Sequence, residues 1–86
     1  MKYVFPAVFI EEKSETDGVV YINVKFPDIM GCVTFGESLE EAVKMAKDAL
    51  LCAVENGFLD HSKPTPKEKI QSLFPDNIVL DIEVEY

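Results

Sequence analysis

A single long stretch of helical periodicity, residues 38–56, constrains most strongly how this 86-residue chain can fold. Ser38 and Glu41 form a capping box at its start, and Asn56-Gly57 is typical of a helix end. Seven apolar residues recur at helical spacing: Leu39, Ala42, Val43, Ala46, Leu50, Ala53 and Val54. A helix of this length, about 28 Å, must bury its apolar stripe against another element, and its alanines favour close approach to a sheet.

Four segments around this helix have the composition and alternation of β-strands. They are Lys2–Ile10, Val19–Phe26, Cys32–Phe35 and Asn77–Tyr86. Pro6 cannot donate to a ladder, so it predicts an edge or a bulge in the first strand. Three strands before the helix favour a meander, and the last strand is expected to return to the same sheet.

A short second helix is predicted before the last strand. Thr65-Pro66-Lys67-Glu68 has the form of a second capping box, with proline at the first helical position. The helix should end near Leu73, with Ile70, Leu73 and Phe74 facing inward. The predicted class is therefore α+β: a β-β-β-α-β antiparallel or mixed sheet packed on one long helix, in a single domain over residues 1–86.

The charge balance favours protein partners over nucleic acid. The sequence contains sixteen acidic residues and eight basic ones, all of them lysine, and its net charge is −8. Phosphate contacts require lysine and arginine, so direct nucleic-acid binding by this chain is not expected. An acidic surface suits a basic protein partner, although plain solubility would also account for it. No segment reads as a membrane span or a signal peptide, which predicts a cytoplasmic protein.

Residues that carry chemistry are sparse, and we predict no catalytic, metal or cofactor site. Cys32 and Cys52 match no zinc spacing, and His61 is the only histidine, so both thiols are expected to be reduced, buried and apolar in role. The glycines are isolated and form no phosphate-binding loop. Most of the carboxylates considered have a local role in a turn or a helix cap. A metal nuclease built from converging carboxylates remains open as an alternative.

The break between the second and third strands carries a specific motif. Pro27 ends the first of these strands, Gly31 precedes the next, and Gly36 leads into the capped helix. The motif positions are Phe26, Pro27, Asp28, Gly31, Cys32, Thr34 and Gly36, followed by Ser38, Leu39, Glu40, Glu41 and Ala42. In this pattern the chain resembles the HicB antitoxin family over about residues 3–55. Met30 departs from it, because the family often has proline there. We interpret the motif as architectural: a rigid corner between two strands.

The resemblance implies a partially degraded RNase H-like fold without nuclease activity. It also implies a partner, the HicA toxin, which is a small basic mRNA-cleaving protein with a double-stranded-RNA-binding fold. HicB proteins neutralise this toxin by covering its active site, so we expect an antitoxin and no enzyme. A homo-oligomer, either a dimer or a tetramer, is expected as well. Many family members carry a C-terminal DNA-binding segment, and we expect none within these 86 residues.

Two groups of acidic residues are candidates for contact with the toxin. Glu11, Glu12, Glu15 and Asp17 lie in or beside the first turn, and Asp81, Glu83 and Glu85 lie on the polar face of the last strand. Two alternatives to the antitoxin hypothesis stay open. One is a stand-alone HicB-like module with another protein partner, and the other is an active RNase H-like nuclease.

Overall fold

The computed structural model describes residues 1–29, 31–57 and 63–86. Four strands and two helices follow in the order β1 (Lys2–Lys13), β2 (Val20–Lys25), β3 (Val33–Gly36), α1 (Leu39–Glu55), α2 (Lys67–Leu73) and β4 (Ile78–Glu85). The predicted α+β class and element order are confirmed. Strand β1 is three residues longer than predicted, because it continues into the hairpin with β2.

The four strands form one antiparallel sheet in the order β3-β2-β1-β4. The meander of the first three strands is as predicted, and β4 returns beside β1. Strand β1 is central, but it pairs with β2 only from Val8 onward. Pro6 lies in the first half of β1, where the strand pairs with β4 alone. The missing N–H of this proline is therefore accommodated without a bulge in the β1–β4 register.

Helix α1 covers one face of the sheet, which we call the inner face. Ser38 caps the helix by accepting the N–H of Glu41 at 3.1 Å, and the N–H of Asn56 at the other end donates to Cys52 O at 3.0 Å. The buried side chains of α1 are Ala42, Ala46, Leu50 and Ala53. They pack with Phe5, Ala7, Phe9, Val24, Phe26, Ile29 and Ile82 in the main core cluster. Three of these four buried residues of α1 are alanine. Their small side chains allow the helix axis to pack close to the sheet.

Helix α2 packs on the opposite face of the sheet, which we call the outer face. Ile70 and Phe74 contact Val8, Ile10 and Val79 there, so the sheet is covered on both sides near its centre. The prediction that Leu73 faces inward is wrong, because its side chain is 66% exposed. The predicted second capping box is also absent: α2 has no side-chain cap, and the hydroxyl of Thr65 bonds elsewhere.

Candidate functional site

The corner between β2 and β3 is a closed loop held by backbone hydrogen bonds. The N–H of Ile29 donates to Phe26 O at 3.1 Å, and the N–H of Phe26 donates to Cys32 O at 3.2 Å. Gly31 has a φ of +77°, a left-handed conformation that glycine adopts without steric cost. Phe26 and Ile29 are both buried in the main core. The motif at this corner thus anchors two apolar side chains on either side of Pro27 and Asp28.

The carboxylate of Asp28 links this corner to the segment before α2. Its Oδ2 accepts the backbone N–H of Thr65 at 2.8 Å, and its Oδ1 accepts the Thr65 hydroxyl. The two residues are 37 positions apart in sequence. Thr65 therefore fastens the segment immediately before α2 to the corner between β2 and β3, rather than capping the second helix. The role of Asp28 in this fold is structural.

The end of β3 approaches the first turn of α1 closely at Gly36. A Cβ atom added to this glycine would lie 2.5 Å from Ala42 N and 2.8 Å from Ala42 Cα. Real side chains do not tolerate such contacts with backbone atoms. Glu40 and Glu41 lie exposed in the first turn of the helix, where carboxylates complement the helix dipole. Glycine is therefore required at 36 because of space and at 31 because of backbone conformation.

The two cysteines differ in their surroundings. Cys32 is half-buried beside the main core, and its Sγ lies 3.8 Å from Ala49 O. Burial raises the pKa of the Cys32 thiol, and the neighbouring Cys52 adds to this shift. Cys52 is exposed, so the prediction that both thiols are buried is wrong for this residue. Cys52 lies on the solvent side of α1, one position before the buried Ala53.

The candidate acidic residues lie in two places on the sheet. Asp81, Glu83 and Glu85 lie on β4 beside the first half of β1, and Lys2 Nζ is 3.9 Å from Glu83 Oε1. Glu11 and Glu12 lie near the end of β1, and Glu15 and Asp17 lie in the turn that follows. Asp17 Oδ1 accepts the N–H of Val19 at 3.0 Å, and this hydrogen bond lowers the pKa of the carboxyl group. About six residues of β1 separate the groups, roughly 20 Å along the strand.

An exposed apolar surface lies on the outer face of β2 and β3, close to Glu12 and Asp17. We call it the β3 patch and define it as Tyr21, Val33 and Phe35. Val33 is 67% exposed and Phe35 is 59% exposed on the edge strand. The Tyr21 and Phe35 rings meet edge to face, with centroids 6.3 Å apart. The alternation of Val33 and Phe35 with Cys32 and Thr34 is visible in the sequence, but it predicts only a strand and not which of its faces is exposed.

Three carboxylates stand around the β3 patch, and we call Glu12, Asp17 and Glu37 its acidic rim. Asp17 and Glu37 line one groove beside Phe35, together with Ser14, Val19, Tyr21 and Asn23. Glu12 lines a second groove on the other side, which runs past Val33 and Lys25. The Tyr21 hydroxyl donates to Glu12 Oε2 at 3.4 Å. The position of Glu37 next to the aromatic residues depends on the strand pairing, so no local pattern in the sequence indicates it.

The described residues hold no arrangement typical of catalysis. Within residues 1–29, 31–57 and 63–86, no three His, Cys, Asp or Glu side chains come together as a metal site would need. His61 lies outside the described residues. In the same ranges, no helix has the length and apolar character needed to cross a membrane. Among the described residues, the β3 patch with its acidic rim has the surface character of a protein-binding site: exposed apolar side chains bordered by carboxylates.

Comparison with solved structures identifies the class of fold. The chain is similar to the crystal structure of the N-terminal domain of Burkholderia pseudomallei antitoxin HicB, with a TM-score of 0.72. The alignment covers 98% of this chain and 100% of that domain at 18% sequence identity. The α+β arrangement of a four-stranded antiparallel sheet, a main helix and a short second helix is therefore that of a HicB N-terminal domain.

Sequence comparisons identify the family. The sequence is 47% identical over 47 residues to antitoxin HicB 2 of Photorhabdus laumondii, and 50% identical over 44 residues to antitoxin HicB 1 of the same organism. These alignments cover 54% and 50% of this chain, but only 34% and 28% of the two relatives. The family described as HicB_like antitoxin of bacterial toxin-antitoxin system matches residues 5–80. The chain belongs to this antitoxin family.

Proposed function

We propose that residues 1–86 form the toxin-neutralising domain of an antitoxin, which binds a small basic mRNA-cleaving toxin of the HicA type and covers its active site. The observation that carries this proposal is the family match over residues 5–80. The net charge of −8 and the acidic rim support it, because a protein that binds RNA phosphates presents cations that such a surface attracts. The complex forms in the cytoplasm, without direct nucleic-acid or membrane binding by this chain.

We expect a small basic protein to be encoded beside this chain, and the test is co-expression of the two, followed by purification through a tag on one partner. We expect the two proteins to co-purify and the cleavage of mRNA by the basic protein to stop at equimolar antitoxin. A matched control is the same chain with Phe26→Asp, which places a charge in the main core and should abolish folding and protection together. Free toxin activity in the presence of excess folded chain would contradict the proposal.

Two alternatives are separated by the same materials. If the chain is a HicB-like module with another partner, the neighbouring basic protein will not co-purify although the chain is folded. If it is an active nuclease, purified chain will cut RNA or an RNA–DNA hybrid in Mg²⁺ or Mn²⁺. We expect both substrates to stay intact. Cleavage that disappears when two carboxylates are changed to amides would establish the nuclease instead.

A further inference from the structure

The β3 patch combines three properties that isolated surface residues lack. Its apolar members, Val33 and Phe35, are among the more exposed large hydrophobic side chains in the described residues. They lie on an edge strand, with Phe35 in edge-to-face contact with Tyr21. Carboxylates line the grooves on both sides of Phe35. Aromatic side chains surrounded by a polar rim are a common form of binding hot spot.

The charges around the patch select the chemistry of its partner. Glu12, Asp17 and Glu37 line the two grooves, and Lys25 is the only cation in their walls among the described residues. The Lys25 ammonium group lies 4.8 Å from the centroid of the Phe74 ring, which places it at the α2 side of the surface. A cation is attracted both by carboxylates and by the face of an aromatic ring. A second copy of this chain would bring another acidic rim and another net charge of −8 against the first.

We propose that the β3 patch is the docking surface for a basic protein face, with a lysine or arginine side chain of that partner placed over Phe35 and paired with the acidic rim. This inference rests on the proposed function for the identity of the partner, the basic toxin. Of the candidate acids it assigns Glu12 and Asp17 to the interface, together with Glu37, and it leaves the β4 acids outside. In this arrangement the burial of Phe35 slows dissociation of the complex, while the rim carboxylates mainly raise the association rate.

The first test measures binding of the co-expressed basic protein to purified variants by surface-based kinetics. Phe35→Ala should raise the dissociation constant at least about thirtyfold, the effect of losing a hot-spot side chain. The matched control is Leu73→Ala, because Leu73 is a 66% exposed apolar residue on α2. This control should stay within about twofold of wild type. Val33→Lys is a second variant on an exposed position, and its ammonium group should weaken binding by repelling the incoming cation.

The second test compares two triple neutralisations at low and high salt. Glu12→Gln, Asp17→Asn and Glu37→Gln together should lower the association rate about tenfold at low salt and flatten its salt dependence. The matched control removes the same number of charges from β4 with Asp81→Asn, Glu83→Gln and Glu85→Gln. We expect this control to keep a faster association rate than the rim variant. Thermal melts of all variants establish that each is folded.

The outcomes separate this inference from the proposed function. If wild-type chain binds the basic protein but Phe35→Ala and Val33→Lys bind equally well, the docking surface lies elsewhere and only this inference falls. A rim variant that associates as fast as wild type would overturn it as well. If sedimentation shows self-association that Phe35→Ala abolishes and that the basic protein does not displace, a second copy occupies the patch. If wild-type chain fails to bind the basic protein at all, the proposed function falls, and this inference with it.

Discussion

At the scale of single residues, the two glycines of the family motif are required for different physical reasons. Gly31 adopts a φ of +77°, but a Cβ atom there would meet no other atom within 4 Å. Gly36 has room for no Cβ atom, because the backbone of Ala42 and Glu41 lies under 3 Å away. The first glycine thus avoids local backbone strain, while the second permits contact between β3 and α1. The costs of replacing them should differ accordingly.

We predict that Gly36→Ala destabilises the fold by about 2–4 kcal/mol, because backbone atoms of α1 must move to admit the methyl group. Gly31→Ala should cost less, about 1–2 kcal/mol, since only the left-handed conformation is penalised. Chemical denaturation of the two variants beside wild type measures both values. Equal costs, or a larger cost at Gly31, would show that α1 adjusts easily at its first turn.

The turn between β1 and β2 should make stability depend on pH through Asp17. The hydrogen bond from Val19 N–H lowers the pKa of Asp17 in the folded state below its ordinary value of 3.8. Because the folded pKa is depressed, this carboxylate stabilises the fold above pH 3.8, and the contribution disappears as the pH falls through the folded pKa. Asp17→Asn keeps an oxygen acceptor but removes the charge. The difference in Tm between wild type and this variant should be present at pH 6 and shrink as the pH falls through the folded-state pKa of Asp17. A difference independent of pH would contradict this.

At the scale of secondary-structure elements, Asp28 and Thr65 connect parts of the chain that cover opposite faces of the sheet. Helix α1 packs on the inner face and α2 on the outer face. Thr65, two residues before α2, bonds to Asp28 in the corner between β2 and β3. This contact supplies two hydrogen bonds to one carboxylate, in a half-buried setting. It therefore orients α2 as well as the corner.

We predict that Asp28→Ala destabilises the fold by about 1.5–3 kcal/mol, because both hydrogen bonds to an ionised acceptor are lost. Thr65→Val removes only the hydroxyl donor and should cost about 1 kcal/mol. In a double-mutant cycle the two changes should show a coupling energy of about 0.5–2 kcal/mol. Asp48→Ala, at an exposed position on α1, is the control and should stay within about 0.5 kcal/mol. If the free-energy costs of the Asp28 and Thr65 substitutions are additive, the two side chains do not stabilise the fold through their mutual hydrogen bonds.

Elements governed by local rules were predictable from sequence. The capping residues Ser38 and Asn56 and the helical spacing between them fixed α1 to within a residue, because caps act over one turn. The short helix α2 was also predicted, but Leu73 was wrongly placed inward because the local pattern does not show which of its apolar residues face the sheet. Likewise, Thr65 fits a helix cap locally, and its actual partner Asp28 is 37 residues away. The acidic rim depends on strand pairing in the same way, so Glu37 was missed.

At the scale of the whole molecule, the net charge of −8 affects its two predicted associations in opposite directions. Contact with a basic toxin brings unlike charges together, so salt should weaken it. The homo-oligomer expected from the family resemblance brings like charges together, so salt should strengthen it. The apolar contact area responds little to moderate salt. The sign of the salt dependence therefore tells the two kinds of interface apart.

We predict that raising NaCl from about 50 to 300 mM increases the dissociation constant for the basic partner several-fold, and decreases that for self-association. Analytical ultracentrifugation of the chain alone and binding kinetics of the complex measure the two constants. The same salt series in the variant with three neutral rim residues serves as the control, and both slopes should be shallower. Slopes of the same sign would show that net charge does not govern both interfaces.

The ends of the chain meet in neighbouring positions of the sheet. The amino group of Met1 donates to Tyr86 O at 2.8 Å, and the N–H of Tyr86 donates to Met1 O at 2.9 Å. Joining these ends by a few residues and opening the chain immediately before Lys63 would give a circular permutant with the order α2-β4-β1-β2-β3-α1. Every neighbouring strand pair would then be consecutive in sequence, which lowers the contact order. We expect the permutant to refold faster than the parent chain in stopped-flow experiments; an unchanged rate would mean that β1 and β4 pair only after the rate-limiting step.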